Sequence, residues 1–321
     1  MPNQAMGVYS ELLLCPEKEF RVAPTDLTGK VLSLPFNSVS LASSQNTSDP
    51  GTITGRRDAV EAIYGNNDNA GDVVVPLDSR AFGHWLAFAF GSPTTTSAGA
   101  GKFKHVFKPG KTQPSAIIEK GFNNGVHLRS VGCKVSQLSF SFGGDGELTA
   151  TASIVGCSET NEADALVETP KKIALRRYNN FQASLLIDGE AEQVATEVSV
   201  DIDFGLDTEG YAIGGNGYRV RVNEGIIRPS GNVTVFFDDA SYLQRAENST
   251  KTSLEVDLDS NGNKLQLMLP EVKFARSSPT IEGATGITQQ LDYSAFYENN
   301  EQDSCVVFIL TNDVESYAFE G

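Results

Sequence analysis

The chain has 321 residues, is 40% hydrophobic and 21% charged, and carries a net charge of −16 with a pI of about 4.6. That acidity argues against a protein that grips nucleic acid by its phosphates, and no apolar run has transmembrane length. The start lacks a basic region followed by a long apolar stretch: Leu12–Cys15 is short and lies between Glu11 and Glu17, so no secretion signal is expected.

The four cysteines (Cys15, Cys133, Cys157, Cys305) are widely spaced and form no CxxC pair, which suits reduced, part-buried thiols. The negative charge is uneven. Residues 1–165 carry 13 Lys and Arg against 16 Asp and Glu (13 − 16 = −3), and residues 166–321 carry 12 against 25 (12 − 25 = −13). By itself such a balance implies solubility.

In chain order, a polar stretch from Ser43 to Asp72 reads as a long loop, and Gly71 to Asp78 as a strand. Asp78-Ser79 can cap a helix over Arg80–Phe90 that closes at Gly91, with Trp85 in its apolar body. Lys134–Phe142 and Glu147–Val155 alternate around the Gly143–Gly146 turn and predict paired strands. Glu197–Phe204 alternates strictly, with Val198, Val200, Ile202 and Phe204 on one face and Ser199, Asp201 and Asp203 on the other. A second polar insertion follows, Asp207 to Gly231, then a helix over Ala240–Glu247 behind Asp238-Asp239. Lys251–Leu258 and Lys264–Leu269 flank Asn261-Gly262, a hairpin signal, and the apolar run Cys305–Leu310 suits a strand buried on both faces.

An internal repeat organises these elements. Gly71–Asp78 aligns with Gly231–Asp238 at an offset of 160 (231 − 71), each copy opening a strand with glycine and capping a helix with aspartate. Val39-Ser-Leu41 meets Val198-Ser-Val200 at 159, Phe20 meets Phe181 at 161, and Gly146–Ile154 meets Gly286–Ser294 at 140. The shorter last offset is expected if the Gly101–Gly121 region is an insertion in the first copy. A duplication follows, with units at 1–169 and 170–321.

Catalytic chemistry has no foothold in the pattern. The three histidines (His84, His105, His127) are scattered, and no Cys/His cluster, nucleophile elbow or phosphate loop occurs. Asp257–Gly262 imitates the start of a calcium loop, but Met268 stands where a bidentate Glu is required, so a hairpin turn is the better reading. No enzyme activity, cofactor or metal is expected.

The ordered features resemble the major tail tube proteins of non-contractile phages (siphophages). These are the early strand running into Leu41–Ser48 and Thr54-Gly-Arg-Arg57, the Val73–Asp78 strand with its Trp85 helix, and Val131–Phe142 with Glu147–Gly156. The second half adds Leu265–Lys273, Gly283–Ala295 and Val306–Asn312. The resemblance implies a mainly β fold: two tandem β-sandwich or half-barrel units, each with one short helix and a long inter-ring loop, the first unit adding an N-terminal arm and matching loop 43–72. It implies a virion protein, made and assembled in the bacterial host cytoplasm, that stacks as rings around a lumen through which DNA passes without specific binding. Its partners would be itself, a tape measure protein, and tail terminator and distal tail proteins, with no membrane. A duplicated member would close a ring with three copies in pseudo-sixfold symmetry, the hexamer being the other possibility.

Alternation marks Ser199, Asp201 and Asp203, with Ser38 and Ser40 in the first copy, as lumen-facing candidates. The competing placement is outer solvent or a subunit seam. Asn46, Thr54, Arg56, Arg57 and Asp58 are the inter-ring loop candidates. Rival readings are a monomeric β-sandwich binding module, which should show clustered exposed aromatics, and another phage structural protein such as a tail terminator or capsid decoration.

Overall fold

The computed structural model describes residues 4–281 and 283–321. The first part of the chain supplies β1 (Glu11–Pro16), β2 (Leu32–Ser33), β3 (Ser38–Val39), β4 (Ala42–Ser48), β5 (Ile63–Pro76) and the helix α1 (Phe82–Phe90). Next come β6 (Thr94–Gly99), β7 (Lys102–Phe107), β8 (Ala116–Gly121), β9 (His127–Gly143), β10 (Thr149–Gly156) and β11 (Ser158–Glu162). The remainder adds β12 (Lys171–Lys172), β13 (Ala183–Ile187), β14 (Glu190–Glu192), β15 (Ala195–Asp203) and β16 (Arg228–Phe236). Helix α2 (Ser241–Glu247), β17 (Thr252–Ser260), β18 (Asn263–Phe274), β19 (Thr288–Ala295) and β20 (Val307–Asn312) complete it.

Two sheets face each other across one core. The first runs β3/β4, β5, β10, β9, β15, β16, β19 and then the end of β18, every neighbour antiparallel. The second runs β14, β13, β17, β18, β20, β7, β6. A smaller mixed sheet, β12–β2–β1–β8–β9–β11, shares the first part of β9, a strand of 17 residues. The halves of the chain share this core, because β9 pairs with β15 and β7 with β20.

Helix α1 is apolar on every side and every residue in it is buried, as expected for a helix placed inside a sandwich. Phe82 meets Phe140 edge-on, while Phe90 packs against both Phe204 and Phe308. Burying each such ring contributes about 2–3 kcal/mol relative to exposure. Trp85 is part of this core. The Asp78 carboxylate accepts N–H bonds from Arg80 and Phe82 (each 3.0 Å), so it starts the helix two residues later than the predicted Arg80, and Gly91 ends it at φ 93°. Asp239 likewise accepts from Ser241 N–H at the head of α2.

The Asn261-Gly262 turn has φ of 53° and 74°, the primed turn that matches strand twist, so the calcium-like segment is a hairpin. Strand β20 lies between β18 and β7 and is buried on both faces, as its apolar run predicts. All four cysteines are free, three of them buried.

The Ser43–Asp72 stretch, expected as a loop, is instead a two-stranded ribbon. β4 pairs with β5 from Ala42↔Ala70 to Ser48↔Ile63, leaving a tip at residues 49–62. Almost all of its side chains are exposed on both faces, so it has no core to face and no hydrophobic alternation. The second insertion keeps less regular structure between β15 and β16, closed by the bridges Asp207↔Asn223 and Tyr211↔Arg219.

Candidate assembly surfaces

The two segments read as repeats have the same strand pairing. Val39 faces Val73 in β3–β5, and Val198 faces Val233 in β15–β16, so both members of the pair are displaced by the sequence offsets of 159 and 160. The resemblance reaches single hydrogen bonds. Asp72 N–H donates to Ser40 Oγ (2.8 Å), and Asn232 N–H donates to Ser199 Oγ (3.0 Å). A Cβ added at Gly71 would lie 2.5 Å from the Ser40 carbonyl oxygen, and one at Gly231 would lie 2.0 Å from that of Ser199. Each glycine therefore lets two backbones approach where no side chain fits.

Downstream, Gly71 faces Ile154 and Gly231 faces Tyr293, so the spatial offset is 139 (293 − 154), one residue from the sequence alignment. The Phe20–Phe181 match does not extend to environment: Phe20 is half-buried under Lys134, whereas Phe181 is 84% exposed.

One face of the first sheet forms the core and the other is largely polar. Val198, Val200 and Ile202 point inward, which sends Glu197, Ser199, Asp201 and Asp203 to the opposite face. The same alternation, against Leu41 in the core and Val39 packed on it, places Ser38 and Ser40 on that outer face, so all five lumen candidates share it. Two further carboxylates join them, Asp72 on β5 and Asp292 on β19. Sequence reasoning missed both, although Gln289, Leu291, Tyr293 and Ala295 alternate as strictly as β15 does.

The rest of this face is mainly Ser, Thr, Asn and Gln, with Val74 and the half-exposed Phe236 as apolar exceptions and the cations Arg228 and Lys273 at its borders. Its carboxylates are held in place by neighbours. Gln137 Nε2 donates to Asp201 (3.3 Å), Ser141 Oγ to Glu197 (3.0 Å), Ser153 Oγ to Asp72 (2.7 Å) and Gly205 N–H to Asp203 (2.7 Å).

The first sheet also has open borders. β3 pairs with β5 on one side and has no strand on the other among the described residues. At the far end, β18 pairs with β19 from Tyr293 to Ala295; Ala275 N–H then donates to the Asp292 carbonyl and Gln289 Nε2 to that of Ser277 (each 2.7 Å), and no strand covers the rest of β19 on this side among the described residues. Unpaired backbone of this kind is a template for another chain.

Among the loop candidates, Arg56 pairs with Asp58 (2.6 Å) within the exposed tip, a contact of small energetic weight. Thr54 and Arg57 are exposed on the same tip, and Asn46 is exposed on β4. No set of three or more His, Cys, Asp or Glu residues among those described could hold a metal ion, and no described helix is long and apolar enough to cross a membrane.

Residues 8–295 match the family described as phage tail tube protein, 288 residues of the chain (295 − 8 + 1). The chain belongs to the phage tail tube protein family. No curated protein matches it. Members of this family are structural components of a virion tail, assembled in the host cytoplasm. The mainly β architecture with two short helices is likewise that expected of a tail tube subunit.

Proposed function

We propose that this chain is the tube-forming subunit of a non-contractile phage tail, closing into rings that stack around a DNA conduit. The observation that carries this reading is the first sheet. Its order, β3–β5–β10–β9 followed by β15–β16–β19–β18, is one four-strand set repeated, with matching pairings, serine–amide bonds and glycine contacts in the two sets. Two fused units, arising from 1–169 and 170–321, explain that repetition, and the β9–β15 pairing joins them inside one molecule.

A ring then needs the same joint between molecules. The open border at β3 and the bare stretch beyond β18 are the two ends that remain, and pairing them around a circle removes both. Three copies supply six units, and such obligate interfaces commonly bury about 2,000 Å² or more. The polar face of the sheet lines the lumen, and its five carboxylates (Asp72, Glu197, Asp201, Asp203, Asp292) repel passing phosphates. Screening acts over roughly 8–10 Å at physiological salt, so charge on a narrow wall is felt across much of the bore. The tape measure, terminator and distal tail proteins are its expected neighbours.

Native mass spectrometry and negative-stain microscopy of the purified chain test this reading. Rings of three 34.4 kDa chains, or tubes built from them, are expected. Six-chain rings would correct the stoichiometry, and a protein that stays monomeric at high concentration would remove the proposal.

A further inference from the structure

We infer that the β6–β7 hairpin is a staple locking the two units of one molecule together in their outer layer, and that the border with a second copy of this chain has no such staple. The inference rests on the ring reading above. Behind the first sheet each unit has an outer sheet, and the two share one strand order. In the first unit it is β2–β1–β8–β9–β11, and in the second β14–β13–β17–β18–β20, every neighbour antiparallel. β9 and β18 hold the same place in each, and both continue into the first sheet, against β10 and β19. The difference lies at the last strand. β20 is paired on its far side by β7, which carries β6, whereas no further strand pairs with β11 among the described residues. The hairpin belongs to the first unit alone: 25 residues (91–115) connect α1 to β8, and 4 (248–251) connect α2 to β17. The excess of 21 (25 − 4) equals the fall in offset from 160 at Gly71 and Gly231 to 139 at Ile154 and Tyr293 (160 − 139).

The hairpin grips the second unit at several points. β7 pairs with β20 from Phe308↔Phe107 to Asn312↔Phe103. Lys102 Nζ donates to the Asn261 carbonyl at the β17–β18 turn (3.2 Å), Lys108 Nζ to that of Gln302, and His105 Nε2 bonds the Val314 carbonyl (2.9 Å). Phe107 and His105 are buried, so the hairpin cannot lift without opening the core. The internal joint is therefore laced twice, by β9–β15 in the first sheet and by β7–β20 behind it. Where a second copy adjoins, the second unit has only residues 248–251 in the corresponding place, and no hairpin to offer. That border is laced once. A ring of three chains then has three stiff joints and three seams, and bending or dissociation falls on the seams, where fewer paired residues must separate.

The test uses Lys104 and Thr311, which face each other across β7–β20 on the side away from the core. In Lys104→Cys with Thr311→Cys, on a Cys305→Ser background, the pair is bridged by a short bismaleimide before and after assembly. Bridged rings and tubes should form as the wild type does and run in denaturing gels as single 34.4 kDa chains. Covalent dimers and trimers would overturn the inference, by showing that the hairpin reaches a second copy, and so would a bridge that blocks assembly. Hydrogen exchange reads the lock at the Phe204 amide, which donates to the Ser136 carbonyl across the internal joint (2.9 Å). Bridging removes freedom from the opened joint, so exchange at Phe204 should slow by about tenfold or more. Replacing 94–107 with a short Gly-Ser turn should quicken it by a similar factor and leave the β17–β18 amides slow. Where that variant does not fold, the bridged chain decides alone, and equal exchange with and without the bridge would overturn the staple. Rings loosened in mild urea should release single folded chains with Phe204 still protected; chains released with Phe204 already exchanging would count against the seams as the weaker joints. A wild type that makes neither rings nor tubes would fail the ring reading itself, while Phe204 exchange would still decide whether the hairpin locks the two units.

Discussion

Arg219 Nη2 lies 2.5 Å from the Asp68 carboxylate, fastening the second excursion to the base of the first ribbon. The guanidinium is buried and spends its other donors on the carbonyls of Thr208 (2.6 Å) and Gly156 (3.1 Å). Around it Asn67 N–H donates to the Gly217 carbonyl (2.8 Å), and Tyr211 Oη donates to that of Asn67 (3.0 Å). Arg219→Ala should therefore free several buried carbonyls at once and lower stability by about 2–4 kcal/mol. Lysine should not rescue it, since a point charge cannot reproduce the planar fork. Hydrogen exchange should quicken at residues 66–69 and 207–223 and remain slow in α1; uniform quickening would mean that the arginine does not act locally.

A second prediction tests the repeat at its tightest points. Gly71→Ala and Gly231→Ala each drive a methyl group into a backbone carbonyl that cannot move without breaking the strand pairing. Both should cost about 2–4 kcal/mol in urea unfolding. Gly51→Ala, in open space on the first tip, should cost little. A Gly231 variant as stable as wild type would break the equivalence of the two sites.

What could be read from the sequence follows from where alternation has a cause. β15, the β17–β18 hairpin and the second part of β9 face a core on one side, and that core imposes period two on them. The ribbon β4–β5 faces no hydrophobic core over most of its length, so no period-two pattern of apolar side chains announces a strand. The first part of β9 was obscured for another reason: Gly132 takes a positive φ there as the strand passes from one sheet to another. Ser199, Asp201 and Asp203 were legible as one face because Val198, Val200 and Ile202 are uninterrupted. Asp72 was not, because it sits between Gly71 and three consecutive valines that mask the period.

Acid stability should depend on His84. It is buried in α1 edge-on to Tyr317, and burial, with Lys171 nearby, pushes its pKa down to about 4 from 6.5. The unfolded chain then binds a proton at a pH where the folded chain does not. The neutral imidazole's contribution is fully present above pH 6.5 and is lost as the pH falls toward 4. The gap of 2.5 units (6.5 − 4) corresponds to about 3 kcal/mol. His84→Phe should remove that part of the slope between pH 6.5 and 4 and leave the slope below 4, where carboxylates protonate. Parallel wild-type and variant curves would rule out the histidine as the cause.

The wall charge has its own test. Asp201→Asn with Asp203→Asn removes two of the five carboxylates from the polar face while keeping side chains of the same shape, and Gln137 and Gly205 retain an oxygen to donate to. Tubes should assemble normally, because neither residue touches an open border of the sheet. In a phage carrying the variant, DNA should leave more slowly, since phosphates then meet polar groups that accept them where carboxylates had repelled them. The difference should shrink as salt is raised, because the screening length falls to about 3 Å at 1 M. A slowing that persists unchanged in high salt would point to altered tube geometry, and an unchanged rate at low salt would place these aspartates away from the DNA path.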